Sequence, residues 1–138
     1  MRFTPQEQAA LRAVVERLIP RDGDAGAWEA GAEDYLTRQL DGDLHALRHI
    51  VQAGLAGLDA EARIRSGEPF ARLTPDARDS LLRDVEAGSV RAPWTTSPPH
   101  FFALLVRTTA EGFYSDPAQG GNRDRVSWAM TGFERDSR

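Results

Sequence analysis

The sequence predicts an all-α protein, a single compact domain over residues 1–138 with five to six helices and an irregular, glycine-containing C-terminal segment. Three observations carry that prediction. Apolar residues recur at helical spacing through most of the chain, and breaks rich in proline, glycine and aspartate separate the stripes. No segment alternates strictly at period two with β-branched residues, which argues against strands. A chain of 138 residues is also long enough for one core, which buries roughly 68% of the unfolded surface at this size.

The first helix starts at Thr4-Pro5-Gln6-Glu7, where Thr4 can cap, Pro5 suits the first turn and Glu7 can close a capping box. Leu11, Val14, Val15, Leu18 and Ile19 form its apolar stripe, and Pro20 with Arg21-Asp22-Gly23-Asp24 ends it. A shorter second helix is expected from about Trp28 to Leu40, with Trp28, Tyr35, Leu36 and Leu40 inward and Asp41-Gly42-Asp43 as its stop. The third stripe is Leu44, Leu47, Ile50, Val51, Gly54, Leu55 and Leu58, continuing weakly through Ala62. Ala53, Gly54, Ala56 and Gly57 point to close helix contact, although each glycine costs about 1 kcal/mol against alanine. Ser66-Gly67-Glu68-Pro69 stops this helix.

Leu73-Thr74-Pro75 opens the fourth helix by the same cap-then-proline logic. Its stripe is Ala77, Leu81, Leu82 and Val85, and Gly88 suits the position after its end. Ser97-Pro98 starts the fifth, which runs through Phe101, Phe102, Leu104, Leu105 and Thr109 to Phe113. Position after position there is apolar, so this helix is expected to be the most buried. From Ser115 the texture changes to Asp116-Pro117, then Gly120-Gly121-Asn122, then a brief apolar patch at Val126, Trp128, Met130 and Phe133.

Composition removes several function classes. Net charge is −4 and no basic cluster exceeds a couple of residues, so neither nucleic acid nor an anionic membrane surface is an expected partner. No stretch approaches the roughly 20 apolar residues of a membrane span. Cysteine is absent, which excludes disulfides, iron–sulfur ligation, thiolate zinc sites and cysteine nucleophiles. No signal-peptide run opens the chain, so the expected compartment is the cytoplasm, or the periplasm if a leader was removed or a partner carries one.

His45 and His49 stand four apart on the third predicted helix, a spacing that can place two imidazoles on one metal. The glutamate of a hydrolytic zinc helix is missing beside them, and Asp43 and Arg48 give them the setting of a solvated face. The expectation is therefore surface or partner-facing histidines, with a small metal-binding helical protein as the rival reading. His100 is expected to pack or cap. Paired carboxylates such as Glu33-Asp34 read as a solvated helix face in a chain that is 28% charged. No nucleophile elbow and no phosphate-binding glycine loop is present. The residues offer no self-contained active site and no cofactor site.

The C-terminal stretch is different in kind. Asn122 can form a turn, Arg123 can make charge-assisted hydrogen bonds, and Trp128, Met130 and Phe133 are apolar anchors of the type enriched at interface hot spots. The same side chains could equally fold back onto the core, because aromatics dominate cores and interfaces alike.

Glu111-Gly112-Phe113-Tyr114-Ser115-Asp116-Pro117, then Gly120-Gly121-Asn122-Arg123-Asp124, Ser127-Trp128 and Gly132 resemble the C-terminal signature of the gluconate 2-dehydrogenase small (gamma) subunit family. Leu18-Ile19-Pro20 with Gly26-Ala27-Trp28-Glu29-Ala30-Gly31 resembles that family's opening, and Gly57-Leu58-Asp59 and Phe70-Ala71-Arg72-Leu73-Thr74 resemble its middle. The resemblance implies a non-catalytic small subunit that holds no cofactor. Its partner would be a large FAD-containing oxidoreductase of the glucose–methanol–choline class, acting on a sugar, sugar acid or polyol, with a cytochrome c as a frequent electron acceptor. The small subunit would assist folding, stability or export of that flavoprotein, with Asn122, Arg123, Trp128, Met130 and Phe133 as partner-binding residues. Two departures stand out: no twin-arginine leader is present, and Gln119 replaces an aromatic common before the Gly-Gly-Asn turn. An interaction module serving some other partner is the remaining alternative.

Overall fold

The computed structural model describes residues 3–19, 31–42 and 45–114. Helix α1 spans Pro5–Leu18 and begins with a complete capping box: Thr4 Oγ1 accepts from the Glu7 amide at 3.1 Å, and Glu7 Oε1 accepts from the Thr4 amide at 2.8 Å. These two bonds satisfy amide donors that a helix start leaves open. Leu11, Val14, Val15 and Ile19 are buried, so the stripe read from the sequence is the face that packs. Helix α2, Ala32–Asp41, starts at Gly31 in the left-handed region, φ +98°. That start lies later than the expected Trp28, whose own position falls outside the described residues. Leu36 and Leu40 are buried while Tyr35 is half-buried.

A 3-10 turn at His45–Leu47 precedes α3, Arg48–Ser66. The third segment is thus a turn followed by a helix, where the periodicity predicted one continuous helix. Val51, Leu55, Leu58 and Ala62 line its buried face together with Gly54, Gly57 and Glu61. Gly67, at φ +78°, ends α3, and its amide donates to Arg63 O. A second 3-10 turn, Phe70–Arg72, carries the fully buried Phe70, and its amide donates to Asp59 Oδ1 at 3.0 Å. Helix α4, Pro75–Ala87, is capped by Thr74 and ends at Gly88, φ +78°. Leu81, Leu82 and Val85 are buried, but Ala77 is exposed, because the α4 stripe meets the core only in its second half.

Helix α5, Pro98–Tyr114, packs against α2, α3 and α4. One core joins all five helices, and no strand occurs among the described residues. The expectation that α5 is the most buried element needs correction. Phe101, Leu104, Leu105, Thr108 and Thr109 are buried, but Phe102 and Val106 are only half-buried and Ala103 and Arg107 are exposed. A helix apolar on nearly every side needs cover on every side. Among the described residues, that cover is complete on the inner side and only partial on the outer side. No described helix is long and apolar enough to cross a membrane.

Candidate functional site

Two regions concentrate the chemistry of the described residues, and both involve α5 or the chain leading into it. The first is a seam on α3. Gly54 lies against the Phe101 ring, where a methyl group would overlap the ring atoms. At Gly57 a Cβ would stand 2.5 Å from Trp94 Cε3. The two rings contact each other with centroids 6.1 Å apart, a tilted arrangement within the favourable range for aromatic pairs. Of the four small residues, Gly54 brings α3 against α5 as their clustering predicted, Gly57 meets Trp94 of the connection before α5, and Ala56 is exposed.

One turn further along the same face sits Glu61, with no solvent exposure. Its carboxylate accepts from the Arg91 amide at 2.9 and 3.0 Å, from the Ala92 amide at 2.9 Å and from the Trp94 indole at 3.2 Å. Arg65 Nε donates to Glu61 Oε2 at 2.9 Å and Arg65 NH1 to Asp84 Oδ2 at 2.6 Å, while Arg65 NH2 donates to Ser89 O. Burial on its own would raise the pKa of this carboxyl. The backbone hydrogen bonds from Ala92 and Arg91, then those from Trp94 and Arg65, outweigh burial and hold the pKa at about 2. Asp84, followed by Glu61, raises the pKa of Arg65 against the opposing effect of burial.

Sequence reading missed Glu61, although one signal was available. It stands on the apolar stripe, between Leu58 and Ala62, where a solvated carboxylate has no place. A buried carboxylate in an enzyme invites a catalytic reading. Here every donor comes from the protein itself, so the group clamps residues 91–94 to α3 and does not face a substrate. A second ion pair ties α1 to α4: Arg17 donates to both oxygens of Asp79, at 2.8 and 3.0 Å. This fork holds the Asp79 carboxyl below its usual range.

The second region is a groove of about 450 Å³ along the outer side of α5. Phe102, Ala103, Val106 and Ala110 form its apolar floor, and Glu86 and Arg107 stand on it as charged members. A smaller hollow of about 220 Å³ shares Glu86 and Phe102 and extends toward Arg17 and Asp79. The outer stripe recurs at helical spacing, as the inner one does, which is why a single periodicity test read α5 as simply buried.

His45 lies in the 3-10 turn and His49 in the first turn of α3, both exposed. Their four-residue separation is therefore not one turn of a single α-helix, because the 3-10 turn winds three residues per turn. Among the described residues no three histidine or acidic side chains gather where a metal ion could sit. His100 is also exposed, so it does not pack; its amide donates to Ser97 Oγ at 3.3 Å, and the capping side chain is the serine. Glu33 is half-buried and accepts from Gln8 Nε2 at 2.8 and 3.1 Å, so it bridges α2 to α1 and is not merely solvated. Asn122, Arg123, Trp128, Met130 and Phe133 lie outside the described residues.

Two parts of the resemblance noted in the sequence acquire physical meaning. Gly57-Leu58-Asp59 supplies the seat for Trp94 and the acceptor for the Phe70 amide, and Phe70–Thr74 supplies that buried ring and the cap of α4. Comparison with curated proteins and with solved structures returns no match. A family model described as gluconate 2-dehydrogenase subunit 3 matches residues 5–134. With nearly the whole chain inside that match, five packed helices and a seam built from the shared segments, this protein belongs to the gluconate 2-dehydrogenase subunit 3 family.

Proposed function

We propose that the chain is a non-catalytic subunit that binds and stabilises a large FAD-dependent dehydrogenase of the glucose–methanol–choline class, which oxidises a sugar, sugar acid or polyol. The observation that carries this reading is membership, over residues 5–134, of a family of dehydrogenase subunits. The described carboxylate cluster is spent on internal hydrogen bonds, which suits a structural partner better than a catalyst. The FAD belongs to the large subunit, and a cytochrome c takes the electrons. Binding would shift the flavoprotein's folding equilibrium toward its FAD-holding state by mass action. The proposed contact residues are Asn122, Arg123, Trp128, Met130 and Phe133, with Asn122 shaping a turn, Arg123 pairing with an acidic or carbonyl acceptor and the others as apolar anchors.

Co-expression with an FAD-dependent oxidoreductase of the glucose–methanol–choline class from the same genome, followed by purification through a tag on this chain, tests the reading. The expected result is a stoichiometric complex with a flavin spectrum, and less soluble flavoprotein when this chain is omitted. Recovery of this chain alone, with the flavoprotein equally soluble and active without it, would overturn the proposal. Trp128→Ala is expected to weaken the complex roughly thirty- to a thousand-fold if Trp128 is a buried anchor.

A further inference from the structure

We propose that residues 89–97, the connection between α4 and α5, form a strap that opens from α3 as one unit, with Glu61 as its latch, while the five helices stay packed. The inference concerns this chain alone and does not depend on the reading above. The strap has no regular secondary structure and one buried residue, Ala92. Val90 and Trp94 are half-buried against the core, and most of the others are exposed. Among the described residues, the hydrogen bonds that join the strap to α3 all end on two side chains. Glu61 accepts from the Arg91 and Ala92 amides and the Trp94 indole, and Arg65 donates to Ser89 O. The strap's remaining backbone bonds are local: the Ser89 amide donates to Asp84 O at the end of α4, and the Trp94 amide to Ala92 O across Pro93.

This construction separates opening from unfolding. Helices α4 and α5 pack directly against each other, so the ends of the strap stay together whether or not it is seated. Its nine residues span up to about 30 Å when extended, so it can lift without unwinding either helix. Glu61 keeps a partner after the strap has left, because Arg65 pairs with it at 2.9 Å and with Asp84 at 2.6 Å, all on α3 and α4. Segments with few buried apolar contacts open below the free energy of global unfolding. The three donors on Glu61 share one acceptor with no solvent exposure, which ties their release to a single event. Lifting the strap uncovers the Gly57 seat of Trp94 and the Glu61 carboxylate.

Native-state hydrogen exchange of the full-length chain, followed by nuclear magnetic resonance, tests the proposal. Trp94→Phe identifies the indole signal among those of three tryptophans. The Arg91 and Ala92 amides and the Trp94 indole are expected to share one protection, roughly tenfold or more below that of the amides of the buried Leu55 and Leu105. Small additions of denaturant should leave the strap rates nearly unchanged and raise the core rates, because opening the strap exposes little surface. In Glu61→Gln the three strap sites should lose protection roughly tenfold or more while helix content stays intact. Strap sites that exchange at the core rate with the core's denaturant dependence would overturn the proposal, since the strap would then open only with the whole chain. Unequal protection among the three sites would also overturn it, because they would not form one unit. Loss of the helices in Glu61→Gln would count against it equally, since the open state does not use the latch. The native chain decides the first two points without any variant fold.

Discussion

The α3 seam and the α5 groove are both built from side chains at helical spacing, yet they are opposites. In the seam two glycines admit two aromatic rings, and a carboxylate with no exposure meets four donors. In the groove, Phe102, Val106 and Ala110 are half-buried, Phe102 packs against the core, and Ala103 is exposed. The seam shows what a finished internal surface costs in specificity: each atom has one acceptable neighbour. The groove is open, and the charged Glu86, Arg107 and Glu111 line it beside its apolar floor.

If that distinction is real, changes in the seam will cost stability and changes in the groove will not. The largest effect is expected for Glu61→Ala, which strands the Arg91 and Ala92 amides, the Trp94 indole and part of Arg65: a loss of about 3–5 kcal/mol, read from the denaturant midpoint of the isolated chain. Glu61→Gln should recover only part of it, because half the amide is a donor facing donors.

The pH dependence follows with a definite sign. A carboxyl held at about 2 in the folded state and near 4.3 when unfolded contributes stability above the unfolded value. That contribution, of order 3 kcal/mol, disappears as pH falls toward 2. The midpoint difference between the native chain and Glu61→Gln should therefore shrink steadily below about pH 4. A difference that stays constant down to pH 2 would mean the carboxylate is not the clamp.

Gly54→Ala sets two terms against each other. Helix propensity gains about 1 kcal/mol, while a methyl forced into the Phe101 ring costs about 1–3 kcal/mol or more. Net destabilisation in thermal melts is expected, and a stabilised variant would show that the seam is looser than its geometry implies. Arg17→Ala should cost about 0.5–1 kcal/mol, less in high salt, because the pair with Asp79 is partly exposed. The smallest effect belongs to the groove. Ala103→Glu is expected to shift stability by no more than about 0.5 kcal/mol. A loss comparable to that of Glu61→Ala would erase the contrast between the two regions.

Local signals were legible in the sequence and distant ones were not. The Thr4 capping box, the Thr74 cap and the Gly88 terminus are each settled within a few residues, so their chemistry is complete in a short window. The buried stripes of α1 and α3 were equally readable, since periodicity is a property of one helix. Glu61 was not, because three of its four donors lie 30 to 33 residues away and it is one of 21 acidic side chains. The start of α3 shifted because a 3-10 turn and an α-helix share apolar spacing over so few residues. The open side of α5 escaped for a related reason: hydrophobicity reports that a face wants cover, not whether the described fold supplies it.

The Gly57–Trp94 contact carries a consequence for how this chain can change over generations. Neither residue is free to vary by itself. A side chain at 57 has no room while the indole is there, and a smaller group at 94 opens a void over a bare glycine and deprives Glu61 of a donor. Size can only be traded between the two positions, so the route from one acceptable pair to another passes through a less stable intermediate. A double-mutant cycle of Gly57→Ala with Trp94→Leu would measure that barrier as a coupling energy of about 0.5–3 kcal/mol, the range for residues in direct contact. Position 57 and position 94 are, in that sense, a single inherited unit split across 37 residues of chain.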